Sequence, residues 1–191
     1  NRRNPKNERL VKEKQLEMLT KICRRVCEEL EEGEHVRSEP LQWLLHGTPG
    51  TGKSEVLKLA QELFEKVCGW NMGMEYQMAA LQAVTAQLLG GDTIHHALGI
   101  NPFGVASDPK SQEKATRRQA DVAQQVTQWR WLFIDEVSMV SSRLIAEIDM
   151  KLRTIVSNIG TLTLENTGET RAFGGINIVF VGDFWQLDPP K

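Results

Sequence analysis

The sequence predicts an α/β domain, a parallel sheet with helices on both faces. Three features carry that expectation: the apolar run LQWLLH feeds straight into the glycine turn GTPGTGKS at Gly47–Ser54, a helical pattern follows at once, and two later apolar runs, WLFIDE and INIVFVGD, each end in acids. Short buried strands that alternate with helical segments must cross over the sheet, which makes them parallel and covers both faces. At 191 residues the chain supports one sizeable core, with room for an appended helical segment but not for two full domains.

The elements follow in order. Residues 1–12 mix Arg2, Arg3, Lys6, Arg9 and Lys12 with Asn and Pro and read as a flexible basic arm, solvated or laid on DNA. The domain itself is expected over 13–191. From about Leu10 to Glu32, apolar Leu16, Leu19, Ile22, Cys23, Val26 and Leu30 recur at helical spacing, with Gly33 as a stop. Pro40 precedes LQWLLH, which suits a buried strand. SEVLKLAQELFEKVC then places Val56, Leu57, Leu59, Ala60, Leu63, Phe64 and Val67 on a helix ending at Gly69. MEYQMAALQAVTAQLLGG is read as a strand and a helix closed by Gly90 and Gly91, and Ile100 to Lys110 as a loop. SQEKATRRQADVAQQVTQW is polar and helix-prone. WLFIDE is a strand, SRLIAEIDMKLRTIV a helix through Leu144, Ile145, Ile148, Leu152 and Ile155, and INIVFVGD a strand.

Composition excludes little: 40% hydrophobic, 25% charged and a net charge of -2 neither announce nor exclude a nucleic-acid partner. No apolar run approaches the roughly 20 residues of a membrane span, and the polar start lacks a signal peptide's apolar stretch, so no membrane partner is expected and the protein is read as soluble and intracellular. Cys23, Cys27 and Cys68 form no zinc-type pair of pairs and are expected as reduced, mostly buried thiols.

GTPGTGKS fits the phosphate-loop pattern GxxxxGK[ST] without a gap. Successive backbone N–H groups must turn inward around phosphate oxygens, side chains would obstruct them, and the following helix points its positive end at the anion. Gly47, Thr48, Pro49, Gly50, Thr51, Gly52, Lys53 and Ser54 are therefore the candidate ATP cradle. Lys53 is expected to reach the β- and γ-phosphates and Ser54 to place its hydroxyl on Mg²⁺. Hydrolysis also needs an acid on the metal side and a group that polarises water. Asp135 is the expected metal-side carboxylate and Glu136 the expected base. The alternative for this pair is a helix-capping Asp beside a surface Glu.

DEVSM at Asp135–Met139, followed by FGGINIVFVGDFWQLDPP at Phe173–Pro190, resembles the superfamily-one DNA helicases of the PIF type, with RecD-like and Helitron helicases as relatives. The resemblance runs from about Gln15 to Pro190. It implies a RecA-like P-loop NTPase fold and an ATP-dependent DNA helicase acting on single-stranded DNA and duplex junctions, with Mg²⁺ and ATP as cofactors. Protein partners stay unknown. By the same resemblance Gln186 contacts the γ-phosphate and reports its loss, with Asp183 in the same loop, and Gln15 reads the adenine edge. The alternative for Gln15 is an exposed helix glutamine. GGDTIHHALGI resembles the family's GxTIHS segment, which makes Thr93 and His95 candidate DNA contacts.

Two departures stand out. Gln82 and Ala83 occupy positions where the family carries Thr-Gly, and Asp188 stands where proline is usual, an acid able to repel phosphate. The resemblance further implies a second RecA-like domain, so the expectation is a first motor domain, weakly active or inactive alone. It also implies telomere maintenance, DNA repair and recombination, and the nucleus, with the mitochondrion as the other compartment. The rival functions are a nucleotide-binding module without turnover and another P-loop ATPase, such as a ring-forming one.

Overall fold

The computed structural model describes residues 13–32, 39–101, 109–156 and 171–185. The basic arm, the expected stop at Gly33, Gln186 and Asp188 lie outside them. Five strands form one sheet: β1 (Gln42–His46), β2 (Tyr76–Ala80), β3 (Asp92–Thr93), β4 (Trp131–Asp135) and β5 (Asn177–Gly182), in the order β1-β5-β4-β2-β3. Every pairing is parallel, in a register that aligns His46 with Gly182 and Ala80 with both Thr93 and Asp135. The strands' C-terminal ends, and the loops that follow them, therefore gather along one edge, where ligands bind in open α/β sheets.

Helices cover both faces, as the alternation predicts. On one side α1 (Glu13–Glu32) and α2 (Lys53–Leu63) pack Met18, Ile22, Val26, Val56, Leu57 and Ala60 against Tyr76, Met78, Trp131, Phe133, Val179 and Val181. On the other, α4 (Ile94–Ala97), α5 (Pro109–Val126) and α6 (Ser142–Val156) pack Ile94, Val122, Val126, Ile148 and Leu152 against Ala79, Leu132, Ile134 and Ile178. The odd and even residues of β4 divide between the two cores, the two-residue period of a strand buried on both faces. The short α3 (Ala83–Leu88) follows β2.

Several expectations need correction. β1 is the sheet's edge rather than an inner strand, and its residues alternate exposed and half-buried, with Leu44 open to solvent. In α1, Leu16 and Leu30 are exposed, while Gln15, Arg25 and Glu29 are buried with Met18, Ile22 and Val26. The helix is amphipathic, but three polar residues share its inner stripe. Val67 is exposed because α2 ends in a π-helical turn, Phe64–Cys68, whose extra residue rotates Val67 off the buried face. That turn drives Phe64 among Trp70, Tyr76, Trp131 and Phe133, with ring centroids 5.1–5.8 Å away. The cysteines are free, but none is buried: Cys23 and Cys68 are half-buried and Cys27 is exposed. Pro109 and Lys110, read as loop, open α5, Pro at a first turn leaving no N–H to satisfy. Among the described residues, no helix is long and apolar enough to cross a membrane.

Candidate nucleotide site and its flanking groove

The glycine turn joins β1 to α2 as the sequence predicts. Gly47 N–H donates to Gly182 O at 3.3 Å, which ties the start of the loop to the end of β5. Gly50 (φ 73°) and Gly52 (φ 86°) adopt left-handed backbone, the conformation that turns consecutive N–H groups to one side. Gly52 caps α2 without any side-chain hydrogen bond to the cap, so Lys53 and Ser54 stand at the helix's positive end. Thr51 Oγ1 donates to Thr48 O at 2.8 Å and closes the loop on itself. Lys53 Nζ donates to Gly47 O and, at 3.2 Å, to Thr48 O. Its ammonium thus lies over the loop's mouth.

Gln15 reaches this loop from α1. Its Nε2 donates to Thr51 O at 3.2 Å and Gly52 O at 3.1 Å. The exposed-glutamine alternative is wrong, since Gln15 is buried. A Cβ on residue 52 would overlap Gln15 Nε2, so this position needs glycine for space as well as for its positive φ.

Asp135 ends β4, and its Oδ1 accepts from Glu136 N–H at 2.8 Å. Burial raises the Asp135 carboxyl above its ordinary range; the Glu136 N–H opposes this, the Glu136 charge adds to it, and Lys53 opposes it. Glu136 adopts left-handed backbone, φ 55° and ψ 39°, one of two non-glycine residues with positive φ among those described. Such backbone costs about 1–3 kcal/mol and clusters at functional sites. Its Oε2 is buried without a hydrogen-bond partner. The capping alternative for this pair is not what the geometry displays, because the helical turn that follows has no side-chain cap bond and Glu136 is half-buried.

Sequence reading under-used one residue. Asp183, directly after β5, is 1% exposed; its Oδ1 accepts from Trp185 N–H at 3.0 Å and its Oδ2 is buried without a partner. The signal was present, an acid ending an apolar strand, as at Asp135. Glu136 and Asp183 thus hold two unsatisfied carboxylate oxygens at the ends of adjacent strands, the second of which is tied to the phosphate loop through Gly182 O. Unsatisfied buried oxygens carry a desolvation cost that a cation or a proton donor would remove. The donor set is all oxygen, and among the described residues no three His, Cys, Asp or Glu side chains form a complete metal cage. An all-oxygen donor set is the kind Mg²⁺ takes, since it uses one or two protein oxygens and completes its shell with phosphate and water. Ser54, Asp135 and the loop therefore fit Mg-ATP.

Thr93 and His95 lie elsewhere on the same edge. Thr93 ends β3 and caps α4, its Oγ1 accepting from His96 N–H at 3.2 Å. Both residues line a groove of about 1010 Å³ between α4, α5 and α6, with Lys114, Arg118, Lys151 and Glu147 along its walls. Arg118 Nη2 donates to His96 O at 3.4 Å. The three long cations here were missed because no sequence motif marks them and they come from two separate helices, α5 and α6. Gln82, at the departure from Thr-Gly, is drawn across the turn after β4, its Nε2 3.5 Å from Met139 Sδ.

The family model for PIF1-like helicases matches residues 12–190. The chain belongs to the PIF1-like helicase family. It is 34% identical over 143 residues to the ATP-dependent DNA helicase PIF1 of Danio rerio, covering 75% of this chain and 19% of that protein. It is 32% identical over 147 residues to the ATP-dependent DNA helicase RRM3 of Saccharomyces cerevisiae, covering 75% of this chain and 18% of that protein. The chain thus spans about a fifth of each of these relatives. In fold it is similar to the Pif1 helicase of Candida albicans, with a TM-score of 0.63 at 24% identity over 96% of this chain and 35% of the other. A Bacteroides Pif1 helicase in complex with ADP-AlF3 and single-stranded DNA gives 0.61 at 22% identity, over 96% and 34%. The five-stranded parallel sheet is the RecA-like sheet of the PIF1-like helicases.

Proposed function

We propose that this chain is the ATP-binding motor domain of a DNA helicase. The observation that carries the proposal is the pair of buried, unpartnered carboxylate oxygens on Glu136 and Asp183, set at the ends of adjacent strands, with the glycine loop tied to β5 at Gly182. The loop N–H groups from Gly47 to Ser54 bind the phosphates, and Lys53 leaves the Gly47 and Thr48 carbonyls to neutralise them. Ser54 and Asp135 hold Mg²⁺. When bound, Mg²⁺ supplies Lewis-acid neutralisation of charge on the transferred phosphoryl group. Glu136 orients the attacking water and accepts its proton, a role suited to a carboxylate with one oxygen free. Gln186 senses the γ-phosphate, as the family resemblance implies.

The groove between α4, α5 and α6 takes the phosphates of single-stranded DNA. Thr93, His95, Lys114, Arg118 and Lys151 offer hydroxyl, imidazole and cationic donors along one channel. Translocation and unwinding need a second RecA-like domain closing on the ATP cleft; a role in telomere maintenance, repair or recombination, in the nucleus or mitochondrion, is proposed on the family resemblance alone.

The test is ATP hydrolysis, with and without single-stranded DNA, by this chain and by the chain joined to a second RecA-like domain. The expected result is Mg-ATP binding with weak or absent turnover in the first. In the second, DNA-stimulated turnover is expected, slowed at least about a hundredfold by Glu136→Gln. Binding without any turnover in the two-domain protein favours the nucleotide-binding module, and turnover indifferent to DNA favours another P-loop ATPase.

A further inference from the structure

The inner stripe of α1 is apolar only in its middle. Its far end carries Arg25 and Glu29, 4% and 2% exposed, at the N-terminal end of the sheet. There they meet Asn177, the first residue of β5, itself 2% exposed. Asn177 Nδ2 donates to Glu29 Oε1 and, at 2.9 Å, to Arg130 O. Asn177 Oδ1 accepts from Arg25 Nε at 3.0 Å and from Leu41 N–H at 2.7 Å. Trp131 Nε1 donates to Glu29 Oε2 at 3.3 Å, and Arg25 Nε lies 3.3 Å from Glu29 Oε1. One asparagine thus ties α1 to the residues that open β1, β4 and β5.

At the opposite end α1 carries Gln15 on the phosphate loop. Gln15 and Glu29 are fourteen residues apart, close to four helical turns, so they share a face and are separated by roughly 21 Å along the axis. Asn177 to Asp183 covers a similar distance, about 20 Å at a strand's rise. The helix therefore spans the sheet from foot to loop, fastened by directional hydrogen bonds at both ends. Between them Met18, Ile22 and Val26 supply apolar contacts, to which the two ends add directional hydrogen bonds that specify register. A shift of one residue rotates the helix by about 100° and would lift Gln15 from both loop carbonyls. Buried polar groups cost more than apolar ones of similar volume, and their best-attested use is to fix register.

We infer that Glu29, Asn177 and Arg25 are positioning residues for nucleotide binding: they set the register of α1 and so hold Gln15 on Thr51 and Gly52 of the phosphate loop. The inference rests on the reading of Gly47–Ser54 as the nucleotide site. It assigns to the foot of the sheet an effect on ligand affinity about 20 Å away.

The experiment is titration of the 191-residue chain with a fluorescent ADP analogue and Mg²⁺, for wild type, Lys53→Ala, Gln15→Ala, Glu29→Gln and the double variant Gln15→Ala/Glu29→Gln, with the thermal midpoint of each measured alongside. Glu29→Gln cannot accept from both Asn177 Nδ2 and Trp131 Nε1, because one of its two ends is now a donor. Gln15→Ala is expected to weaken binding about three- to tenfold, and Glu29→Gln by a comparable factor. The double variant is expected to bind no more weakly than Gln15→Ala alone, because Glu29 acts through Gln15. Wild-type affinity in folded Glu29→Gln, or losses that multiply in the double variant, would overturn the inference and leave the foot a purely structural clamp. If Glu29→Gln does not fold, Arg25→Lys takes its place in the same cycle: it keeps the charge beside Glu29 and loses the Nε bond to Asn177. Wild type that fails to bind, or Lys53→Ala that binds equally well, would instead refute the nucleotide site itself.

Discussion

The two ends of the β-sheet handle buried polar groups in opposite ways. At the N-terminal end both side-chain atoms of Asn177 and both carboxylate oxygens of Glu29 are paired, with partners from α1, β4 and the residue before β1. At the C-terminal end Glu136 and Asp183 each keep a buried oxygen without a partner, and Glu136 also sits in left-handed backbone. The same sheet, with the same strands running through both ends, therefore carries a paired network around Asn177 and two unpaired carboxylate oxygens at the opposite end. The paired network holds the fold. The orphaned carboxylate oxygens, together with the glycine loop's anion cradle, mark the end shaped for something absent from the polypeptide itself.

Breaking the foot should produce the largest loss of stability. Asn177→Leu removes a partner from Glu29, Arg25, Leu41 N–H and Arg130 O together, and is expected to cost about 3–5 kcal/mol, as when one member of a buried charged network is deleted. Denaturant unfolding measures it. A cost under about 1 kcal/mol would show that water replaces the asparagine and that the foot is not tightly closed.

At the other end a substitution should do the reverse. Glu136→Gly relieves the positive φ and removes the buried orphan oxygen, so it is expected to raise stability by about 1 kcal/mol while abolishing turnover in the two-domain protein. A stability loss would mean that Glu136 belongs to the structural network after all.

The pH dependence of unfolding sharpens the contrast with a smaller effect. Burial raises the carboxyl of Glu29, against the opposing influence of Asn177, Arg25, Trp131 and Arg130, and it raises that of Asp135 as well. Between the ordinary carboxyl value, about 4, and each raised one, the folded chain holds more protons than the unfolded chain. Stability is therefore expected to fall as pH rises through that window and then to level off. Mg²⁺ with ADP should flatten the share due to Asp135, since a nearby cation favours the carboxylate, and should leave the share due to Glu29. Urea midpoints across the window for Glu29→Gln and Asp135→Asn separate the two.

Much of this was legible in the sequence, for reasons that differ between the ends. GTPGTGKS was readable because phosphate binding demands a fixed order of glycine, lysine and hydroxyl, and WLFIDE because a strand buried on both faces is a continuous apolar run that stops where the cleft begins. The foot was not readable. Its members, Arg25, Glu29, Arg130 and Asn177, are far apart in sequence, and on α1 the periodicity of Leu16 and Leu30 pointed toward the solvent-facing side. Apolar spacing registers Ile22 and Val26 but not the glutamine, arginine and glutamate that share their stripe. The rotation of Val67 off the core was equally hidden, since it follows from a π-helical turn that helical apolar spacing does not signal. Lys114, Arg118 and Lys151 gave no signal because only the packing of α5 beside α6 makes them neighbours of Thr93 and His95.

The central claim is that the unsatisfied end of the sheet receives a magnesium nucleotide through Lys53. Thermal unfolding of the wild-type chain and of Lys53→Ala, against rising Mg-ADP, tests it most directly. The wild-type midpoint should climb with ligand, by the equivalent of about 2.7 kcal/mol at a hundred times the dissociation constant, while the Lys53→Ala midpoint stays flat. A wild-type midpoint indifferent to Mg-ADP, or an equal climb in both proteins, would contradict it.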